Sequence, residues 1–282
     1  MRAYLAEFLA DPRVVKLPRF IWLPILRGVV LRARPAKSAE KYAAIWTAEG
    51  SPLAVHTRRL AEELRRALPE VKIEHAMRYG EPGIAAALAR LQGCDVTVLP
   101  LFPQYSESTT ESVADVVPPG VRTIRGFHDH PAYIAALAAN LRSHWQRNGR
   151  GETLLMSFHG LPQRGGGPYA RQCRMTGMLL AAALGLKETQ WQVTFQSRFG
   201  YAKWLQPYTE ATLVELARRG ASRVDVVCPG FVSDCLETLE EIGIVARRRF
   251  LEAGGRELHL VPCLNESPAW IGALALIVRS AP

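Results

Sequence analysis

The sequence predicts an α/β protein built from two doubly wound halves, each around a parallel sheet. Short, nearly continuous apolar runs alternate with amphipathic stretches, as strands covered on both faces by helices require. Two of these runs end in segments rich in titratable groups. One is Ser157-Phe158-His159-Gly160-Leu161-Pro162, and the other begins at Cys228-Pro229-Gly230-Phe231 and continues through Asp234, Glu237 and Glu241. Strand C-termini are where open α/β sheets collect ligands.

Residues 1–9 have a helical pattern, but no Ser, Thr, Asp or Asn caps their start, so the chain opens inside a pattern. Residues 20–31 are apolar, contain Pro24 and Arg27, and are too short to span a bilayer. They suit either buried core or an exposed lip rimmed by arginines. Helices are predicted over 38–46, 53–68 and 82–91, the second with Leu60, Leu64 and Leu68 on one face. Strands are predicted over 71–77, 95–101 and 122–126. A long helix over 128–145 leads into the second half, dividing the chain into 1–127 and 128–282; a polar break follows at 147–151. Strands over 153–158, 192–195, 223–228 and 257–261 then alternate with helices over 172–184, 209–219 and 236–252. The second half thus has four parallel strands. The first has three and is short of a leading strand, which an upstream gene start or a longer parent chain would supply. A C-terminal helix is left free to pack back on the first half.

At 282 residues, with 48% hydrophobic and 22% charged residues, the chain is a globular protein and not a disordered one. Its formal charge of +9 favours an anionic partner: a carboxylated small molecule, an anionic membrane surface or nucleic acid. The arginines form no long blocks and no nucleic-acid-binding motif is present, which sets nucleic acid aside. Cys94, Cys173, Cys228, Cys235 and Cys263 form no C-x-x-C pair. The odd count without a signal peptide favours reduced thiols and a cytoplasmic setting, and the spacings argue against an Fe–S cluster.

An imidazole at a strand end is placed to accept protons near neutral pH. Read as a helix face, Asp234, Glu237 and Glu241 stack carboxylates that repel unless a cation or proton sits among them. Such a row suits delivery of a divalent metal, although Asp234 alone also reads as an N-cap. The segment Phe195-Gln196-Ser197-Arg198-Phe199-Gly200, followed by Trp204, could grip a flat, partly anionic ligand or simply pack under a loop. The stretch around Tyr105 is equally a ligand-lining loop or a surface one.

On these motifs the chain resembles the ferrochelatase family nearly end to end. The likeness also covers residues 4–15, Arg34-Pro35-Ala36-Lys37, Gly50-Ser51-Pro52-Leu53, Met77-Arg78-Tyr79-Gly80, Pro103-Gln104-Tyr105-Ser106 and Cys263-Leu264-Asn265. The resemblance implies two Rossmann-like halves that hold a porphyrin between them, with ferrous iron as substrate and no cofactor. It implies a cleft histidine in His159 and a facing carboxylate in Glu237, with Glu241 continuing an acidic path. Asp234 would support His159 or Glu237, with Gln196 and Ser197 beside them. Trp204 would lie against the macrocycle, and Tyr105 would be among the substrate-binding residues. Arg34, Lys37, Tyr42 and Ser51 would sit near the propionates, and Arg78 and Tyr79 would line the pocket from the first half. Peripheral membrane contact and a monomer or homodimer fit the same family. A chelatase for another metal or tetrapyrrole, or a non-catalytic porphyrin or heme binder, are the rival readings.

Two departures from the family stand out. The leading strand and its Leu-Gly-Thr-Pro-type loop are missing, so the 282-residue form is expected to be poorly stable or weakly active, and upstream residues to rescue it. The loop after His159 is short, with Gly167 where the family has an acid.

Overall fold

A computed structural model describes residues 1–198 and 202–280. Phe199 and Gly200 of the aromatic motif lie outside the described residues. The chain divides into two compact units, Met1–Pro100 with Ser106–Arg125, and Leu101–Tyr105 with Gly126–Pro282. The five residues around Pro103, assigned from sequence to the first half, go with the second unit.

The second unit carries a four-stranded parallel sheet in the order β4-β3-β5-β6: β3 Thr153–His159, β4 Trp191–Gln196, β5 Arg223–Val227 and β6 Glu257–Leu260. The crossovers run through α8 (Gly167–Leu184), α9 (Thr209–Arg218) and, after a π-helical stretch over Glu237–Ala246, α10 (Arg247–Glu252). Central β3 is buried from Leu154 to Phe158, which explains its nearly continuous apolar reading. Leu155, Leu213, Val224, Val226, Ile242 and Phe250 form the core on one face. The helix α7 (Pro131–Asn148) opens this unit, with Pro131 in its first turn and the His130 ring accepting the Ala132 N–H. Helix α11 (Pro268–Ser280) packs on α7, where Trp270 meets Tyr133 at 5.8 Å between ring centroids. This packing is within its own unit.

The first unit departs further from expectation. Its sheet is two short parallel strands, β1 (Thr97–Val98) and β2 (Arg122–Thr123). Pro100 stops β1 almost at once, since proline donates no ladder hydrogen bond. The strand predicted over 71–77 does not form: among the described residues that segment makes one isolated bridge, Met77 to Gly83. A segment without a ladder partner cannot satisfy its backbone as a strand. The rest is helical: α1 (Arg2–Ala10), α2 (Arg19–Ile25), a π-helical turn over Leu26–Val30, α3 (Leu31–Ala43), α4 (Pro52–Ala67), α5 (Ile84–Arg90) and the short α6 (Ser112–Ala114). Leu5, Leu9, Leu26 and Leu31 bury a small core. The 20–31 stretch is therefore neither wholly core nor wholly lip: Leu26 is buried, while Phe20 is 81% and Val29 63% exposed.

Candidate active site

In the second unit, three loops leave the C-terminal ends of β3, β4 and β5 and carry the titratable motifs. β3 ends on half-buried His159. Its Nδ1 lies 2.7 Å from the carbonyl oxygen of Gly160. A carbonyl only accepts, so the neutral ring keeps its proton on Nδ1 and leaves the Nε2 lone pair to face chemistry. Gly160 has no side chain for a reason. A Cβ there would stand 2.7 Å from the Gln196 carbonyl oxygen and 3.3 Å from the Trp204 ring. Trp204 is held beside this turn by a bridge to Pro162, and the Leu205 N–H donates to the Leu161 carbonyl at 2.9 Å. The Phe231 ring lies 6.4 Å from the imidazole.

Gln196, on β4, is the register partner of His159. Its buried amide joins three elements. The oxygen accepts from Ser157 Oγ at 2.6 Å, and the nitrogen donates to the Glu237 main-chain carbonyl at 2.7 Å. Behind it, Ser157, Thr209 and Thr194 continue a chain of buried hydroxyls. The next residue, Ser197, has φ +62, a left-handed conformation that few L residues adopt. It donates its N–H to Glu241 Oε1 at 2.7 Å and its hydroxyl to Glu241 Oε2 at 2.5 Å.

Glu237 and Glu241 both lie on the π-helical stretch and not on the α-helix predicted over 236–252. π-Helical turns inside helices cluster at functional positions, and their wider turn re-aims side chains. Asp234 precedes the helix and does not share its face. The buried Asp234 carboxylate accepts from Thr238 Oγ1, the Cys263 N–H and Asn265 Nδ2 at 3.1, 3.3 and 2.8 Å. Asn265, itself at φ +47, takes the Asp234 N–H in return at 2.9 Å. Asp234 therefore braces the turn before the helix against the segment after β6. Cys228, Cys235 and Cys263 are buried nearby. Burial pushes each thiol up, helped by the Asp234 charge at Cys228 and Cys263 and by the Glu237 charge at Cys235. They stay protonated and are poor metal ligands. Among the described residues no three His, Cys, Asp or Glu side chains converge on a metal position. The row expected of His159, Glu237 and Glu241 is thus not a closed cage, with Glu241 already engaged by Ser197. Tyr105 belongs to this unit as well, its N–H donating to Gln172 Oε1 at 2.6 Å.

The first unit holds the remaining candidates. Arg78 and Tyr79 converge on buried Asp11: Arg78 Nη2 is 2.6 Å and the Tyr79 hydroxyl 2.8 Å from Asp11 Oδ2, which also accepts from Ser112 Oγ at 2.7 Å. Burial disfavours the Asp11 carboxylate, but the hydrogen bonds from Ser112, the Arg13 N–H and Tyr79, with the Arg78 charge, outweigh it and hold its pKa low. Burial raises the Tyr79 phenol. Asp11 escaped notice in the sequence because a lone acid after a helix carries no periodic signal; its partners come from distant segments. Arg34, Lys37 and Tyr42 lie on α3, with Lys37 exposed and Arg34 and Tyr42 half-buried, and Ser51 precedes α4 at its N-cap position. Tyr42 packs edge-on against Tyr4 at 6.4 Å and Trp46 at 6.3 Å.

The ferrochelatase family profile matches residues 1–281. A ferrochelatase of Aromatoleum aromaticum is 54% identical over 99% of this chain and 82% of its own length. Those of an Azoarcus species and of Methylibium petroleiphilum are each 55% identical, over 99% and 98% of this chain and 82% and 81% of their own. Among solved structures, CbiX, described as the terminal enzyme of siroheme biosynthesis in denitrifying bacteria, superposes with a TM-score of 0.56 at 17% identity, covering 83% of this chain and 96% of its own. SirB from Bacillus subtilis with Fe3+ gives a TM-score of 0.56 at 16% identity, covering 82% and 91%. At that identity the likeness is one of fold, the chelatase fold with parallel sheets.

Proposed function

The chain belongs to the ferrochelatase family, and from that premise we propose how its residues divide the work of inserting ferrous iron into a porphyrin. Insertion exchanges two pyrrole protons for one Fe2+, with no change in oxidation state. The reaction therefore needs a proton acceptor and a metal route but no electron carrier, and we assign no cofactor and no Fe–S cluster. His159 is the acceptor. The observation that carries this is its Nδ1 contact with the Gly160 carbonyl, which leaves the Nε2 lone pair open at the C-terminal end of β3. Glu237 is the carboxylate we pair with it, its main chain anchored by Gln196, and Glu241 continues the acidic path. Trp204 and Tyr105 offer flat apolar surface to the macrocycle. In the first unit, Arg34, Lys37, Tyr42 and Ser51 serve the propionates. The locked Arg78–Asp11–Tyr79 set holds its segment in shape and does not supply free charge.

Among the described residues no helix is long and apolar enough to cross a membrane. Exposed Leu17, Phe20, Ile21, Ile25 and Val29, on a chain of net charge +9, support peripheral contact with an anionic membrane. The free cysteines suit a reducing cytoplasm, with the protein a monomer or homodimer.

The test is anaerobic Fe(II) insertion into protoporphyrin and coproporphyrin, followed by absorbance. His159→Ala should slow insertion at least about a hundredfold, the scale of a lost general base, while porphyrin binding by fluorescence quenching persists. Wild-type protein that binds both porphyrins and inserts no metal would make the chain a binder instead.

A further inference from the structure

We infer that Ser197 is a positioning residue that restrains Glu241 and keeps it from closing on a metal ion. The inference rests on the metal route proposed above and deepens it.

Ser197 stands at φ +62 directly after β4, in a region of backbone space that glycine and asparagine enter far more readily. That conformation turns its N–H and its hydroxyl toward one carboxylate. The N–H reaches Glu241 Oε1 at 2.7 Å and the hydroxyl reaches Oε2 at 2.5 Å. Gln196 Nε2 approaches the same Oε2 at 3.5 Å. Both oxygens of Glu241 are thus engaged from a neighbouring strand, across a loop junction distant in sequence. Donors that engage a carboxylate use its lone pairs and disperse its charge, so a cation must compete with them. Among the described residues no three-ligand metal group is preformed. A chain that must surrender its metal to a macrocycle gains from a carboxylate that attracts the ion weakly and lets it go. An unrestrained Glu241, four residues from Glu237 on the same π-helical stretch, would instead hold it.

The probe is Co(II), titrated calorimetrically and without oxygen into the full chain in the absence of porphyrin. Ser197→Ala and Ser197→Gly should each bind Co(II) about tenfold more tightly than wild type, the scale of one charge-assisted hydrogen bond. The gain should vanish when either change is combined with Glu241→Gln. In turnover assays KM for the metal should fall together with kcat, because the released carboxylate retains the ion. Ser197→Gly removes the hydroxyl while easing the backbone, so it carries the test if Ser197→Ala melts early. Unchanged or weaker Co(II) binding in the glycine variant would overturn the inference, as would a gain that survives Glu241→Gln. If Co(II) binding follows the expected pattern but wild type inserts no iron, the restraint stands and the catalytic reading falls.

Discussion

Asp11 shows how one carboxylate can organise a region whose sheet is slight. It receives hydrogen bonds from Ser112, Tyr79, Arg78 and the Arg13 N–H, and its side chain is 5% exposed against 19% for Arg78. Breaking such a pair from one side strands the other charge, so Asp11→Asn should lower stability by about 3 kcal/mol at neutral pH. The acidity of Asp11 sets the pH window. Its folded pKa lies below the unfolded value of about 4, so the stabilisation is full above that value and is lost as pH falls through the folded pKa. Urea unfolding of wild type and variant should therefore differ at pH 7 and converge in strong acid. A gap that persists unchanged down to pH about 2 would show that the carboxylate's charge is not what matters.

At the scale of elements, the π-helical stretch Glu237–Ala246 depends on the turn that launches it. The Thr238 hydroxyl is fully buried and lies within hydrogen-bond reach of the Asp234 carboxylate at 3.1 Å, the Cys235 carbonyl at 3.2 Å and the Cys235 N–H at 3.1 Å. Thr238→Val keeps the shape and deletes these contacts, leaving buried groups short of a partner. It should cost about 1–3 kcal/mol, read as a lower thermal midpoint, and should slow metal insertion by misplacing Glu237. A variant as stable and as active as wild type would mean that the turn is held by packing alone. Much of this element was legible in the sequence. β3 and β5 were legible because burial on both faces favours apolar residues, even with Ser157 and Asp225 among them, and His159 and the Asp234–Glu241 segment stood out as the titratable groups following such runs. What periodicity could not give was the π geometry, since α and π turns differ by less than one residue per turn, too little to tell apart over so short a stretch. Nor could it assign Asp234, whose hydrogen-bond partner Asn265 lies beyond β6. The segment over 71–77 misled because composition reports the capacity to be a strand, while ladder formation needs a neighbour.

For the molecule as a whole, acid is the expected weakness. Burial lowers the pKa of His75, His128 and His144, and the His144 Nε2 and His75 Nδ1 atoms are buried without a hydrogen-bond partner. Each ring binds a proton more readily unfolded than folded. Their contribution is therefore fully present above the unfolded value of about 6.5 and is lost as pH drops through the folded values. Protonation also adds to a net charge that is already +9, increasing self-repulsion. Thermal midpoints should decline as pH is lowered from about 7.5 to about 5.5, and His144→Phe should flatten part of that slope; a midpoint indifferent to pH over that range would contradict this account. The strand order β4-β3-β5-β6 also bears on synthesis. During translation β3 emerges first and gains β4 soon afterwards, but β5 must wait until α9 has been made. Through that interval the opposite margin of β3, from Thr153 to Met156, offers unsatisfied amides and carbonyls to any passing nascent chain, so a ribosome-bound intermediate carries the hazard that the finished sheet conceals.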